Sequence, residues 1–92
     1  MYIVYLIQNT LDYTCYIGST SNLKRRLEEH NSRQSKYTKK HKGQWTLIYF
    51  EVYRIKKDAL IREKRLKSHG SAKYQLMERV KNSLLNPRTE EG

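Results

Sequence analysis

The chain has 92 residues, which is enough for one domain and too few for a second hydrophobic core. Lysine and arginine total 19 against 9 acidic residues, and the net charge of +10 favours a polyanionic partner, although self-repulsion alone also keeps small proteins soluble. The single cysteine, Cys15, excludes an internal disulfide and a cysteine-paired metal site, so a reducing, cytoplasmic location is expected. The apolar run after Met1 is too short for a signal peptide or a membrane span, and no membrane partner is expected.

The first half of the chain predicts a β-hairpin followed by a helix. Residues 2–7 are rich in β-branched and aromatic side chains, which is typical of a strand, and residues 13–17 form a second strand after a polar turn. Gly18 and the polar residues after it end this strand. Ser21 then caps a helix that is predicted over residues 22–30.

The middle of the chain contains a basic segment and the strongest strand pattern. Residues 31–44, called the basic loop below, lack apolar periodicity and contain five lysines and arginines, so a mobile segment with a functional purpose is expected. Residues 45–53 are rich in aromatic and β-branched side chains and predict a strand. A helix over residues 57–68 follows, and Gly70 suits the left-handed position after its C-terminus.

The last predicted helix opens at Ser71. Its apolar residues continue at helical spacing to Leu85, and Pro87 ends it. We therefore expect one domain over residues 1–86 and a short frayed tail over residues 87–92. The predicted order is β-β-α-β-α-α, an α/β (α+β) fold with a three-stranded, mainly antiparallel sheet flanked by helices. The pattern does not give the order of the strands in the sheet.

One acidic residue interrupts the apolar stripe of the second predicted helix. Glu63 lies four residues after Ala59 and three before Leu66, and Leu60 flanks the same face. A buried carboxylate is costly unless a cation compensates it. An ion pair with one of the many basic residues explains this position, and so does a divalent ion such as Mg²⁺, which often takes only one or two protein carboxylates. Both interpretations stay open at this point.

The first predicted helix carries a second polar anomaly. Leu23 and Leu27 mark its inner face, and Arg26 and His30 are stacked one turn apart at the edge of that face. A single histidine beside leucines is usually a core residue with its hydrogen bonds satisfied. The arginine next to it indicates a polar site as the alternative.

The chain contains eight tyrosines, against one phenylalanine and one tryptophan. Tyr5 lies in the first predicted strand and Tyr16 in the second, so their hydroxyls reach one site if the hairpin pairs them. Packing in the core or at a sheet edge explains most of the eight. Stacking on nucleobases is a further interpretation, because aromatic and basic residues interleave along the chain.

Four ordered segments together resemble the GIY-YIG nuclease superfamily, over nearly the whole chain. They are Ile3-Val4-Tyr5, Tyr16-Ile17-Gly18, residues 23–31 (LKRRLEEHN) and residues 62–67 (REKRLK). The chain is most similar to small single-domain bacterial members that resemble the N-terminal nuclease domain of the excision-repair protein UvrC. The resemblance implies a three-stranded antiparallel sheet flanked by helices, and hydrolysis of DNA phosphodiesters with one divalent ion, Mg²⁺ or Mn²⁺.

The resemblance also assigns residues. The catalytic set carried over by position is Tyr5, Tyr16, Arg26, His30 and Glu63, with Glu63 as the metal ligand. The candidates for nucleic-acid binding are Gly18, which closes the second triplet, and the basic-loop residues Lys36, Tyr37, Thr38, Lys39 and Lys40. The first triplet lacks its glycine, and Ser19 stands where some members place a lysine after the second triplet. Such a lysine helps to lower a tyrosine pKa or to hold a phosphate.

The expected function is therefore a metal-dependent endonuclease with low sequence specificity, because no recognition helix or zinc finger is evident. In the expected mechanism, Arg26 binds the scissile phosphate and Tyr5 activates water, while His30 and Tyr16 position that water or relay its proton. The alternatives are a non-catalytic nucleic-acid-binding module on the same fold and an RNA-associated basic protein. The DNA structure preferred, the pathway and any protein partner stay open.

Overall fold

The computed structural model describes residues 1–36, 38–68 and 70–85. Its elements are β1 (Tyr2–Asn9), β2 (Cys15–Thr20), α1 (Leu23–Asn31), β3 (Trp45–Tyr53), α2 (Lys56–Lys67) and α3 (Ser71–Arg79). This order confirms the predicted β-β-α-β-α-α arrangement of an α+β fold. None of the helices among the described residues has the length and apolarity that crossing a membrane requires.

The three strands form one antiparallel sheet in the order β2-β1-β3, which places β1 in the centre. Six consecutive residues of β1, from Val4 to Asn9, are buried, because both faces of this central strand are covered. β2 and β3 are edge strands. The functional side chains described below gather at the β2 edge.

Alternation of side chains along β1 divides the interior into two cores. Val4 and Leu6 face α2 and α3, where Ala59, Leu66, Leu76 and Val80 complete the larger core. Tyr5 and Ile7 face the opposite side, where they pack with Trp45 under α1. A polar group on β1 or β2 can therefore face either helix layer, depending only on whether its position is odd or even.

Two boundaries near the hairpin differ from those predicted. β2 continues through Gly18 to Thr20, because Gly18 pairs with Tyr5 and Thr20 with Ile3 across the sheet. The N-cap of α1 is Asn22, whose side chain accepts a hydrogen bond from the Arg25 N–H at 3.0 Å. The expectation that Ser21 caps this helix is therefore wrong by one residue.

The region after α2 also differs from the prediction. Gly70 is the extended N-cap of α3, with φ of −122° and ψ of −170°, and not a left-handed cap of α2. α3 ends at Arg79, earlier than predicted, since the chain turns at Val80 and the Leu85 N–H donates to Gln8 Oε1 at 2.6 Å. The predicted stop at Pro87 and the tail over residues 87–92 lie outside the described residues.

Candidate active site

Two tyrosines and a glycine build the first part of the site. Tyr5 on β1 and Tyr16 on β2 share the α1 face of the sheet, with ring centroids 6.4 Å apart. Gly18, the cross-strand partner of Tyr5, lies directly beneath the phenol. A Cβ at Gly18 would lie 2.5 Å from Tyr5 Oη and 2.7 Å from Tyr5 Cζ, closer than any side-chain carbon can come. The glycine of the second triplet is therefore required so that the Tyr5 hydroxyl can cross β2.

His30, near the C-terminus of α1, joins Tyr5 to the basic loop. Its Nε2 lies 2.8 Å from Tyr5 Oη, and its Nδ1 lies 2.8 Å from Thr38 Oγ1. Burial, assisted by the positive charge of Arg26, lowers the pKa of His30 to about 4. The imidazole is therefore neutral near pH 7, with one ring nitrogen as donor and the other as acceptor. The Tyr5–His30–Thr38 chain can shift a proton along its length by exchanging tautomers.

Burial also controls the ionisation of Tyr5. It raises the pKa of the phenol to about 12, although the hydrogen bond from Arg26 opposes this shift. Tyr5 is therefore protonated at neutral pH. It becomes a base only if a nearby cation or acceptor favours loss of its proton.

Arg26 is held between α1 and the basic loop. Its Nη1 donates to Glu29 Oε1 at 2.9 Å, and its Nη2 donates to Ser35 Oγ at 3.3 Å. A quarter of the Arg26 side chain is exposed, so the guanidinium is positioned beside Tyr5 while it stays accessible to an incoming anion. A guanidinium stays charged at any physiological pH and suits a phosphate geometrically.

Glu63 approaches the β2 edge from the other face of the sheet. α2 packs through Ala59 and Leu66, which are 0% and 1% exposed, and Glu63 lies between them as expected. Leu60, by contrast, is 43% exposed, so the buried stripe of α2 is narrower than predicted. Ser19, on the α2 face of β2, donates its hydroxyl to Glu63 Oε1 at 2.5 Å.

The second oxygen of this carboxylate contacts a lysine of the same helix. Lys67 Nζ lies 2.9 Å from Glu63 Oε2 and 5.5 Å from the centroid of the Tyr16 ring. The site thus has two halves: an α2 half, which contains Glu63, and an α1 half, which contains Tyr16. Lys67 lies beside both. The ion pair also confirms the simpler of the two interpretations of Glu63, since a basic residue does compensate its charge.

The donor set at Glu63 fits a hard divalent ion. No cluster of three or more histidine, cysteine or acidic side chains that could hold a metal is present among the described residues. Mg²⁺ does not need such a cluster, because it commonly binds one or two carboxylates, keeps several waters and takes further oxygens from a substrate phosphate. The Glu63 carboxylate, 19% exposed and adjacent to the Ser19 hydroxyl, meets that requirement.

The basic loop divides the predicted nucleic-acid contacts into two groups. The Thr38 side chain is 1% exposed and bonded to His30, so it holds the imidazole, and contact of Thr38 with nucleic acid stays a prediction. Gly18 is likewise buried, under Tyr5. Lys36, Lys39 and Lys40 are exposed, as a backbone contact requires. Tyr37 lies outside the described residues.

Sequence reasoning missed Ser35 and Lys67, and it named Thr38 as a nucleic-acid contact and not as the partner of His30. Ser35 and Thr38 are polar residues in a segment without periodicity, so no pattern indicated that they are buried. The contact between Lys67 and Glu63 was predictable from spacing, because Lys67 follows Glu63 by four residues and therefore shares its helix face. No pattern favoured Lys67 over the many other lysines.

The fold and this polar cluster describe a small α+β domain with a candidate site at one edge of a three-stranded antiparallel sheet. A family profile, the GIY-YIG catalytic domain, matches residues 1–75. The chain therefore belongs to the GIY-YIG family, as the sequence motifs predicted. It is a nuclease family whose members generally use divalent metal ions, and membership implies a nucleic-acid substrate, DNA.

Two relatives agree with this assignment. The UPF0213 protein HQ_3675A of Haloquadratum walsbyi is 34% identical over 73 residues, which cover 78% of this chain and 80% of that protein. The solution NMR structure of the UPF0213 protein BH0048 from Bacillus halodurans matches with a TM-score of 0.53 and 25% identity, covering 97% of this chain and 92% of that one. The names of both proteins state no activity.

Proposed function

We propose that this protein is a metal-dependent endonuclease that hydrolyses DNA phosphodiester bonds with low intrinsic sequence specificity. One observation carries the proposal: the protonatable pair Tyr5–His30, the guanidinium of Arg26 and the carboxylate of Glu63 gather around one edge strand. These are the groups that phosphodiester hydrolysis needs, since it requires a base, a phosphate-binding cation and a metal ligand.

The α1 half of the site supplies the base. A water near Tyr5 Oη gives its proton to the phenol oxygen as it attacks phosphorus, while Tyr5 passes its own proton to His30 Nε2 across the 2.8 Å hydrogen bond. His30 is neutral before the step because its pKa is about 4, and it stays neutral if Nδ1 releases a proton toward Thr38 as Nε2 accepts one. Thr38 holds the opposite ring nitrogen, so the ring stays aligned with Tyr5.

Arg26 and Glu63 act on the phosphate. Arg26 donates hydrogen bonds to a non-bridging oxygen and stabilises the charge that develops there. Glu63, with Ser19 beside it, would hold the Mg²⁺ or Mn²⁺ ion, which would supply positive charge to stabilise the transition state and the leaving group. Tyr16 lies between the two halves and positions the attacking water.

The exposed lysines of the basic loop, Lys36, Lys39 and Lys40, bind the flanking backbone, together with the other basic residues of this +10 chain. Contacts of this kind carry affinity and little sequence information. The assignment of residues 1–86 to one nuclease domain and the cytoplasmic location stay predictions.

Cleavage of single-stranded, nicked and branched DNA, with Mn²⁺ or Mg²⁺ and with chelator, tests the proposal. We expect Glu63→Gln to lose about 10³-fold in metal-dependent cleavage, because a bound ion contributes several kcal/mol to the transition state. Glu78→Gln removes the same charge from α3, where the side chain is 55% exposed, and is expected to cleave normally. Full activity in Glu63→Gln would remove the central assignment.

A non-catalytic nucleic-acid-binding module is the second candidate. The contacts at Glu63 favour it, because Ser19 and Lys67 already engage both carboxylate oxygens. Such a module would bind DNA with the same salt dependence in wild type and Glu63→Gln and would cut none of the substrates. A preference for RNA in the same binding titrations would indicate the RNA-associated alternative.

A further inference from the structure

Lys67 is the side chain that joins the two halves of the site. Its ammonium lies 2.9 Å from Glu63 Oε2, on the α2 face, and 5.5 Å from the ring centroid of Tyr16, on the α1 face. Nearly half of the Lys67 side chain, 48%, is exposed, so the ammonium has room to move away. A Glu–Lys pair four residues apart on a helix is common and weak. The unusual feature of this pair is its position at the edge of a candidate metal site.

The two oxygens of Glu63 differ in what a divalent ion meets there. The Ser19 hydroxyl at Oε1 can rotate its hydrogen away and turn a lone pair toward a cation. The Lys67 ammonium at Oε2 has no lone pair. An ammonium and a divalent ion on the same oxygen, the ion at about 2.1 Å, would lie within a few ångströms of each other and repel strongly.

Oε2 is the Glu63 oxygen that Lys67 contacts, and Lys67 links it to the rest of the site. Lys67 reaches Tyr16 from it, and Tyr16 packs against Tyr5 and His30. Arg26, which would hold the phosphate, lies beside that same Tyr5. An ion bound at Oε2 would therefore take the position that the Lys67 ammonium fills.

We propose that Lys67 is the internal counter-cation of Glu63, and that a divalent ion binds by displacing its ammonium from Oε2. The inference rests on the proposed function, because it takes Glu63 as the metal ligand. Until the ion arrives, Lys67 compensates the charge of the partly buried carboxylate. Once displaced, the ammonium stays tethered beside Tyr16 and supplies, from α2, a positive charge at the site where Ser19 replaces the lysine of some family members.

Binding of Mn²⁺ to the full chain without nucleic acid, followed by electron paramagnetic resonance at low ionic strength, tests this inference. We expect Lys67→Met to bind Mn²⁺ about three- to fivefold more tightly than wild type, because the competing cation is gone and a partly exposed pair of this kind is weak. Lys67→Arg keeps the competing charge and is expected to stay within about twofold of wild type.

Lys64→Met is the matched control. It removes one positive charge from an exposed position of the same helix, where the described structure shows no contact with Glu63. We expect its Mn²⁺ affinity to stay near that of wild type. Unchanged or weaker binding in Lys67→Met would overturn the inference, as would equal tightening in Lys64→Met, which would make the effect one of net charge.

The same titration separates this inference from the proposed function. If Glu63→Gln loses Mn²⁺ binding and Lys67→Met does not tighten it, Glu63 is the ligand and the displacement idea fails alone. If Glu63→Gln binds Mn²⁺ as well as wild type does, the metal assignment fails, and the role of Lys67 fails with it. In cleavage assays, the Mn²⁺ concentration at half-maximal rate is expected to fall by the same factor in Lys67→Met.

Discussion

Two glutamates contact side chains of α2, and their surroundings differ in a way that separates structure from function. Glu51, on β3, accepts hydrogen bonds from the hydroxyls of Tyr49 and Tyr53, both at 2.5 Å, and from Arg62 Nε at 2.6 Å. These tyrosines share a face of the same strand with Glu51, so the sheet itself fixes two of the three donors. We call these four residues the Glu51 cluster.

Glu63 is the next residue after Arg62 on α2, yet its partners are of another kind. Its donors are a single hydroxyl, that of Ser19, and the partly exposed ammonium of Lys67. A guanidinium with a carboxylate forms a directional, permanent pair, whereas a lysine is a point charge on a flexible stem. The Glu51 cluster therefore holds α2 against β3 as a structural contact. In the Glu63 pair, by contrast, a more strongly bound cation can replace the Lys67 ammonium.

The largest expected effects come from substituting each glutamate in turn, because one substitution lowers the cleavage rate and the other lowers stability. Glu63→Gln is expected to lose about 10³-fold in cleavage with little change in stability. Glu51→Gln is expected to lose about 2 kcal/mol of unfolding free energy, because a charged acceptor with three donors is removed, while the folded fraction still cleaves. Urea denaturation and Mn²⁺-dependent cleavage of both variants check this. Loss of cleavage without loss of stability in Glu51→Gln would contradict the comparison.

The pH dependence of stability is the next test, and it distinguishes the part of the site around His30 from the Glu51 cluster. Burial lowers the pKa of His30 from 6.5 to about 4, so below pH 6.5 the unfolded chain binds a proton that the native state excludes. Stability is therefore complete above pH 6.5 and falls by roughly 3 kcal/mol as the pH drops toward 4. Urea unfolding at a series of pH values measures this slope, and His30→Gln is expected to flatten it between these limits.

The Glu51 cluster responds in a lower pH range. Burial alone would raise the pKa of Glu51, but the hydrogen bonds from Arg62, Tyr49 and Tyr53 outweigh it and hold the pKa below its usual 4.5. The stabilisation is present above pH 4.5 and is lost as the pH falls through the lower native value. Glu51→Gln should therefore leave the slope between pH 6.5 and 4.5 intact, and a change there would show that the regions are coupled.

The two arginines give the third test. Arg26→Ala is expected to cost at least ~10²-fold in cleavage, because transition-state stabilisation is lost, while DNA binding is largely kept. Arg62→Ala is expected to lower stability and to leave cleavage per folded molecule unchanged. Single-turnover cleavage and salt-dependent DNA binding of both variants check this. Equal losses of binding and cleavage in Arg26→Ala would make that residue an anchor for the backbone.

The sequence predicted the elements and most of the site because both depend on local pattern. Helical periodicity placed Glu63 between Ala59 and Leu66, and the family motifs named Tyr5 and His30. Contacts between distant segments were not predictable. Nothing local indicated that Glu51 on β3 would accept from Arg62 on α2, or that Gly70 would open α3 in an extended conformation.

The basic loop shows the same limit most clearly. Its composition predicted a mobile nucleic-acid contact, and the exposed Lys39 and Lys40 fit the second part of that expectation. Ser35 and Thr38, however, are 2% and 1% exposed and hold Arg26 and His30. A serine or threonine in a polar stretch carries no sign of burial, because its partner lies on a different element. The loop therefore has a buried side that positions the site and an exposed side that is basic.

The smallest effect we predict tests that buried side. Thr38→Val keeps the shape of the side chain and removes the hydroxyl that holds His30 Nδ1. We expect about 1–2 kcal/mol of lost stability, from the unsatisfied ring nitrogen, and a roughly tenfold lower cleavage rate, from a less firmly aligned imidazole.

Thr46→Val, on β3, is the matched control, since Thr46 makes no side-chain hydrogen bond among the described contacts and lies outside the Tyr5–His30–Thr38 chain. Rates of cleavage at saturating Mn²⁺ and DNA binding should be measured together. If Thr38 only supports the fold, cleavage per folded molecule will match wild type. If Thr38 aligns His30, the rate will fall while DNA affinity holds, because a residue that is 1% exposed contacts no phosphate.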